Sequence, residues 1–239
     1  MNLKEKLKLY VITDRKLRDE VETTRLALEG GATSIQMRIK NTPTVEMIKI
    51  GEELRKITKD YNALLFINDR VDIALAVGAD GVQLGPEDMP ISIAKNIAPQ
   101  LIIGASVYNV EGALRAERDG ADYLGAGSVF PTTTKEDAKT LCLDGLKQII
   151  EAVRIPVIAI GGINHDNVKE VLKLGADGIA IVSAIVGAPD VKKATEEMKK
   201  IMSYNHFWCM GTLKKVAHPA EVDQPKSHSA KDDTPHEEE

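Results

Sequence analysis

The sequence has few aromatic residues, few cysteines and no excess of basic charge, and each shortage excludes a class of protein. Aromatic residues make up 4% of the chain while 43% of it is hydrophobic, so its core must be mostly aliphatic. The formal net charge of −5 argues against general nucleic-acid binding, which normally needs a basic face. Cys142 and Cys209 lie far apart without CxxC or zinc-type spacing, so neither a disulfide framework nor a metal knuckle is indicated.

Long hydrophobic runs are also absent. No apolar run approaches the roughly eighteen residues that a membrane span needs. The N-terminal stretch "MNLKEKLKLYVITD" lacks the apolar region of a signal peptide. We therefore expect a soluble, cytoplasmic protein without a nucleic-acid or membrane partner.

Short aliphatic runs alternate with amphipathic stretches along most of the chain. Most runs are apolar on both faces, which is typical of parallel strands buried from both sides. Eight strand–helix alternations predict either a closed (β/α)₈ barrel or a doubly wound sheet. The strand candidates are "KLYVIT", "TSIQMRI", "LLFIN", "DGVQLG", "LIIGAS", "DYLGAG", "PVIAIGG" and "DGIAIVS".

An internal repeat favours the barrel. A Gly-Ala pair, with the alanines at Ala32, Ala79, Ala121 and Ala176, precedes every second strand candidate. Glycine there suits the left-handed position that ends a helix, and the small alanine can pack under a strand. The repeating unit is thus a (βα)₂ quarter, which a doubly wound sheet gives no reason to expect. We predict an α/β fold, a (β/α)₈ TIM barrel.

The C-terminal part lacks this pattern. We predict that residues 1–203 form the barrel as a catalytic domain and that residues 204–239 form a polar, disordered tail. The alternative is a partner-docking segment that uses "HFWCM" as an apolar anchor.

Polar residues collect where the strand candidates end, which is where barrel active sites form. Gln36, Arg38 and Lys40 alternate and so share one face, which suits a polyanion. No histidine except His165 follows a strand, which argues against histidine acid–base catalysis. In chain order the strand-end residues are Gln36, Arg38, Lys40, Asn68, Asp69, Gln83, Glu87, Asp88, Ser106, Thr132, Thr133, Thr134, Lys135, Gly161, Gly162 and Ser183.

These residues predict two anion sites and one metal site. Gly162 and Ser183 follow strands seven and eight, the usual phosphate position of a barrel. Arg38, Lys40 and Lys135 would form a second cationic group. Asp69 and Asp88 could bind Mg²⁺ together with substrate phosphate oxygens. Each element has a plainer alternative, namely an ion-pair layer, a helix cap at Asp69, a tight glycine turn, or serines that only pack.

Six motifs in order, from about residue 9 to residue 201, together resemble the thiamine-phosphate synthase family. They are "YVITD", "QMRIK", "INDRVDIALAVGADGVQLGPEDMP", "ADYLGAGSVFPTTTK", "IPVIAIGGIN" and "GIAIVSAI". The resemblance implies a (β/α)₈ barrel that joins 4-amino-2-methyl-5-hydroxymethylpyrimidine diphosphate to 4-methyl-5-(2-phosphoethyl)thiazole, or to its carboxylated form. Thiamine monophosphate and pyrophosphate are the implied products, and Mg²⁺ is the implied cofactor.

The resemblance also assigns roles to matching residues. It implies Asp69 and Asp88 as Mg²⁺ ligands. Those implied to act in catalysis are Arg38, Lys40, Asn68, Ser106 and Lys135. Those implied to bind substrate are Gln36, Met37, Arg38, Ile39, Lys40, Asn68, Ser106, Thr132, Thr133, Thr134, Lys135, Gly162, Val182 and Ser183. Gln83 departs from the family, many of whose members have histidine there.

Two rival functions stay open. A paralogous thiazole tautomerase would share the barrel and the thiazole phosphate site, but it has no diphosphate to discharge, so the full set of cations and acids disfavours it. A non-catalytic binder of thiamine phosphate is the other rival. The expected partners are the two small-molecule substrates, and a homo-oligomer is compatible with the sequence.

Overall fold

A computed structural model describes residues 2–132 and 140–209, and for residues 204–209 it describes the backbone only. Eight parallel strands close into a barrel in sequence order, since β1 pairs with both β2 and β8. The strands are β1 (Leu9–Ile12), β2 (Ser34–Met37), β3 (Leu64–Asn68), β4 (Gly81–Leu84), β5 (Ile102–Val107), β6 (Tyr123–Ala126), β7 (Val157–Ile160) and β8 (Gly178–Ile181). The predicted barrel is therefore confirmed.

Helices surround the barrel. They are α1 (Leu3–Lys6), α2 (Glu20–Glu29), α3 (Thr44–Asp60), α4 (Val71–Ala76), α5 (Ile91–Ile97), α6 (Val110–Arg118), α7 (Cys142–Ala152), α8 (Val168–Lys173), α9 (Ser183–Val186) and α10 (Val191–Cys209). Helix α10 packs against α8 and α2 and so completes the outer ring. It continues past the predicted boundary at 203. The tail was predicted to be disordered over residues 204–239; residues 210–239 lie outside the described residues, and the disorder stays a prediction.

Several helices begin where side chains or prolines favour a start. Asp19 accepts a hydrogen bond from the Glu22 N–H at 2.9 Å and caps α2, and Asn109 caps α6 in the same way. Pro43 and Pro90 directly precede α3 and α5. Among the described residues, no helix has both the length and the apolar composition required for crossing a membrane.

The core has two parts. An aliphatic layer lies between the barrel and the helices, while a smaller cluster fills the barrel interior. Three of the scarce aromatic residues, Tyr10, Phe66 and Tyr123, lie inside the barrel with ring centroids 5.2 to 6.3 Å apart. Large rings in that position fill the interior that aliphatic side chains alone would leave open.

The Gly-Ala repeat ends helices as predicted. Gly31, Gly78, Gly120 and Gly175 all have positive φ, between 62° and 98°. Such a left-handed residue stops a helix and turns the chain toward the next strand, and glycine adopts it without a Cβ penalty.

The residue after each Gly-Ala pair has a role that the sequence analysis missed. In three of the four quarters this residue is an aspartate, Asp80, Asp122 or Asp177, whose carboxylate accepts a backbone N–H from the first or second residue of the preceding strand. In the first quarter Thr33 accepts the Leu9 N–H at 3.0 Å. These contacts join the strands pairwise at the N-terminal end of the barrel, opposite the mouth, and serve stability rather than chemistry.

Candidate active site

The C-terminal end of the barrel brings together the predicted residues of β2 to β5. Gln36 lies on β2, Asn68 ends β3, and Ser106 is the second-last residue of the longer strand β5. Gln83 on β4 pairs in register with Asn68, and its Nε2 donates to Ser106 Oγ at 3.0 Å. Side chains from neighbouring strands therefore meet in one region under the mouth.

Alternation along β2 divides the predicted segment from Gln36 to Lys40 between two faces. The side chains of Met37 and Ile39 are buried in the aliphatic layer outside the barrel. Arg38 and Lys40 alternate with them and face the mouth. Any substrate contact by Met37 or Ile39 would therefore come from the backbone.

Two carboxylates and two cations form one cluster at the mouth. Lys40 Nζ lies 3.8 Å from Asp69 Oδ2. Burial, together with the hydrogen bond and the negative charge of Asp88, raises the pKa of Asp69 to about 6, although the positive charges of Lys40 and Arg38 lower it. The predicted acids and cations are thus close neighbours.

The backbone holds both acids in place. Asp69 has φ 64°, a left-handed conformation that is uncommon outside glycine and is tolerated best by Asn and Asp. Asp88 Oδ2 accepts the Gly85 N–H at 2.6 Å. The alternative that Asp69 caps the next helix is not observed, because α4 begins after Arg70 without a side-chain cap.

The acid pair fits a magnesium ion. Two carboxylates in contact favour sharing a proton, and a divalent cation removes the same repulsion. Magnesium commonly takes one or two protein carboxylates and completes its octahedron with water and substrate phosphate oxygens. Within the described ranges no group of three or more His, Cys, Asp or Glu side chains could hold a metal.

A polar clamp supports the loop that carries the cations. Arg15 Nε donates to Glu20 Oε1 at 2.8 Å, and Glu20 is only 4% exposed. The same guanidinium donates to Glu46 Oε1 and to Thr42 Oγ1, both at 3.1 Å. Thr42 in turn donates to the Lys40 carbonyl at 3.2 Å. Arg15 therefore ties the β1–α2 loop to the loop that presents Lys40.

A second group of residues lies after β7 and β8. Gly161 and Gly162 have φ 99° and 65°, and a Cβ on Gly162 would lie 2.6 Å from the Pro131 carbonyl oxygen. Glycine is required there because the loop after β6 packs directly against it. The short helix α9 begins at Ser183, with Val182 as its N-cap residue, and its first N–H groups have no acceptor within the helix. This is the predicted phosphate position.

The threonine-rich loop approaches the same place. The Val129 and Phe130 N–H groups donate to the carbonyls of Ile160 and Gly161 at 2.9 and 3.0 Å. Thr132, which follows Pro131, is the last described residue before the gap, so the chain reaches Gly162 as it enters the predicted anion loop. Thr133, Thr134 and Lys135 lie outside the described residues, and their roles stay predictions.

Sequence reasoning missed one polar network inside the barrel. Gln36 Nε2 donates to Tyr10 Oη at 3.0 Å, and the hydroxyls of Tyr10 and Tyr123 are 3.2 Å apart. Burial raises the pKa of both tyrosines well above their ordinary range, so both stay neutral. The available signal was the rarity of aromatic residues combined with their positions in two strand candidates.

Comparisons with known proteins identify one family. The family model described as thiamine monophosphate synthase matches residues 9–185. The chain is 70% identical over 202 residues to the thiamine-phosphate synthase of Pyrococcus furiosus, covering 84% of this chain and 98% of that protein. It is 54% identical, with the same coverage, to the thiamine-phosphate synthase of Methanococcus maripaludis.

Solved structures show the same relationship. A thiamine phosphate pyrophosphorylase from Pyrococcus furiosus superposes with a TM-score of 0.82 at 67% identity, covering 85% of this chain and 98% of that one. A thiamine phosphate pyrophosphorylase from Bacteroides thetaiotaomicron, at 18% identity and a TM-score of 0.62, shares the fold. The family match over most of the barrel and the high identity to curated members lead to one conclusion: the chain belongs to the thiamine monophosphate synthase family, a family of transferases.

Proposed function

We propose that this protein is a thiamine-phosphate synthase that joins a pyrimidinylmethyl diphosphate to a thiazole phosphate, or to its carboxylated form, and releases pyrophosphate. The observation that carries the proposal is the cluster of Asp69 and Asp88 beside Lys40 and Arg38 at the barrel mouth. Negative charge grows on a diphosphate as it departs. A divalent cation held by two acids, together with side-chain cations, would stabilise that charge.

The diphosphate end of the first substrate would bind at this cluster. Arg38 and Lys40 would contact its oxygens, and the predicted additions are Asn68 and Lys135. Asp69 and Asp88 would hold Mg²⁺, which supplies charge neutralisation to the leaving group when bound. Gln36 and Ser106 lie deeper and would contact the pyrimidine ring.

The thiazole phosphate would bind at the position after β7 and β8. Gly162, Val182 and Ser183 would offer backbone N–H groups and a hydroxyl, and the threonine loop would supply Thr132, Thr133 and Thr134. Two anion sites on opposite parts of one mouth would hold the two rings facing each other, which supplies proximity and orientation.

The reaction needs little chemistry from the protein itself. The aminopyrimidine can stabilise a cation at its methylene as the diphosphate departs, and the thiazole nitrogen then attacks that carbon. His165, the histidine whose side chain is described, lies 2.9 Å from the Ala194 carbonyl through Nε2 and serves the packing of α10. The cations therefore act by stabilising charge on the leaving group, without a protein nucleophile.

Pyrophosphate release from the two purified substrates is the decisive assay. The proposal expects release that requires both substrates and Mg²⁺. A tautomerase or a non-catalytic binder would release none. Asp88→Ala and Lys135→Ala should each reduce turnover strongly without loss of the fold, whereas Asp72→Asn, on the surface of α4, should leave turnover unchanged. Normal turnover in both test variants would refute the assignment.

A further inference from the structure

Under the barrel mouth, polar side chains form two hydrogen-bonded groups. In the first, Gln36 Nε2 donates to Tyr10 Oη at 3.0 Å, and Tyr10 Oη lies 3.2 Å from Tyr123 Oη. In the second, Gln83 Nε2 donates to Ser106 Oγ at 3.0 Å. Gln36 and Ser106 are the residues proposed to contact the pyrimidine ring, so the two groups end at the same substrate.

The amide oxygen of Gln83 borders the same space as the first group. The Gln83 side chain is buried, with 7% exposure, and its Oε1 has no hydrogen-bond partner among the described residues. A Cβ placed on Gly104 would overlap both Gln83 Oε1 and the Tyr123 ring and hydroxyl. The missing side chain at Gly104 therefore leaves the amide oxygen and the tyrosine hydroxyl around the same small space.

The two amide groups fix the direction of the bonds that they make. An amide N–H can only donate, so Tyr10 accepts from Gln36 and Ser106 accepts from Gln83.

We propose that Gln83 is a positioning residue that makes the Ser106 hydroxyl a hydrogen-bond donor to the pyrimidine. The Gln83 N–H occupies the Ser106 oxygen as an acceptor, so the Ser106 hydrogen is left for a substrate atom. In the other group, Gln36 uses its N–H on Tyr10 and leaves its carbonyl oxygen for the substrate. This inference rests on the proposed function.

The resulting pattern selects a kind of ring. An acceptor on β2 and a donor on β5 match an amino group on one side and an unprotonated ring nitrogen on the other, as an aminopyrimidine offers. An analogue with a hydroxyl or keto group in place of the amino group would not match: a keto oxygen cannot donate to the Gln36 carbonyl oxygen, and its protonated ring nitrogen cannot accept from Ser106. Glutamine, which stands where many family members have histidine, supplies one donor and one acceptor and does not titrate near neutral pH.

The test is a double-mutant cycle between Gln83 and Ser106. Gln83→Glu keeps the shape but, once ionised, cannot donate, so Ser106 would turn its hydrogen toward the carboxylate. Gln83→Glu and Ser106→Ala should each raise KM for the pyrimidine diphosphate about tenfold, the size expected for one lost hydrogen bond. KM for the thiazole phosphate should change little. The double variant should also show about a tenfold rise, because both changes remove the same donor.

Additive effects, on the order of a hundredfold in the double variant, would overturn the proposal. So would equal rises of both KM values, which a merely structural role predicts. If Gln83→Glu fails to fold, Gln83→Met replaces it: this variant should raise the pyrimidine KM by a few-fold, and the rise should vanish in the Ser106→Ala background. Its persistence there would also overturn the proposal.

Two controls separate this inference from the proposed function. Gln148→Glu, exposed on α7, should leave both KM values unchanged. Wild-type protein that releases no pyrophosphate from the two substrates would reject the proposed function and this inference with it. Normal wild-type activity with additive mutational effects would reject the inference alone.

Discussion

Replacing Asp69 with asparagine should stabilise the metal-free protein at neutral pH while impairing catalysis. The carboxyl is partly buried beside Asp88, and together these effects raise its pKa from 3.8 to about 6. Asparagine has nearly the same shape and tolerates the left-handed φ of 64° at this position. The substitution therefore removes a charge without straining the backbone.

The direction of the pKa shift of Asp69 decides whether the substitution stabilises or destabilises the protein. The folded protein holds the Asp69 proton more tightly than the unfolded chain, so protonation of this group favours folding at low pH. That contribution is fully present below about pH 4 and is lost as the pH rises to about 6. Asparagine does not titrate, so the difference in the free energy of unfolding between variant and wild type should develop between about pH 4 and pH 6 and stay constant above that.

The pKa shift sets an upper limit on the gain in stability. A shift of about two pKa units corresponds to about 3 kcal/mol, at about 1.4 kcal/mol per unit. The Asp69 side chain is 31% exposed, and the variant also loses the attraction to Lys40, so solvent screening and this loss reduce the gain. We expect the variant to be more stable by about 1–2 kcal/mol near pH 7.5 and by close to nothing near pH 4.

Guanidinium unfolding of metal-free protein at the two pH values measures this difference. Asp72→Asn is the matched control. Arg70 lowers the pKa of the Asp72 carboxyl, so this variant should be less stable than wild type at pH 7.5. Added Mg²⁺ should then stabilise the wild type more than Asp69→Asn. The reasoning would be refuted if Asp69→Asn were less stable than wild type at pH 7.5, or if its free energy of unfolding differed from that of wild type by the same amount at both pH values.

Three further substitutions test other contacts. Gly104→Ala should destabilise the protein by about 1–3 kcal/mol in equilibrium unfolding, because the added methyl group overlaps Tyr123; an unchanged midpoint would contradict this packing. Arg15→Met should cost about 1–3 kcal/mol, since it leaves the buried Glu20 unpaired, and should raise KM for the pyrimidine diphosphate alone; equal changes in both KM values would argue against the clamp. Asp122→Ala should lower stability by about 1–3 kcal/mol with KM and kcat unchanged, and altered kinetics would show that this end of the barrel affects the mouth.

The resemblance of the motifs to a known family, with the polar residues at strand ends, predicted much of the candidate site. Asp69 and Asp88 were expected as neighbours because adjacent parallel strands deliver their ends to one rim, and the structure brings them into contact. The alternation of residue types from Gln36 to Lys40 also predicted that Gln36, Arg38 and Lys40 share one face of the strand. In contrast, nothing in the local sequence around Arg15 indicates that it clamps the cation loop, since its partners come from two other elements.

The sequence by itself determined the barrel. The alternation of aliphatic and amphipathic stretches, and the glycine that follows every second helix from α2 to α8, are local properties that specify which segments become strands and where those helices stop. Only the tertiary structure decided which polar groups meet. The contact between the Gln83 amide and Ser106, the hydroxyl pair of Tyr10 and Tyr123, and the aspartate that joins paired strands all depend on register across a closed sheet. Register places atoms from distant parts of the chain within hydrogen-bond distance, and residue patterns along one strand carry no record of the strand beside it.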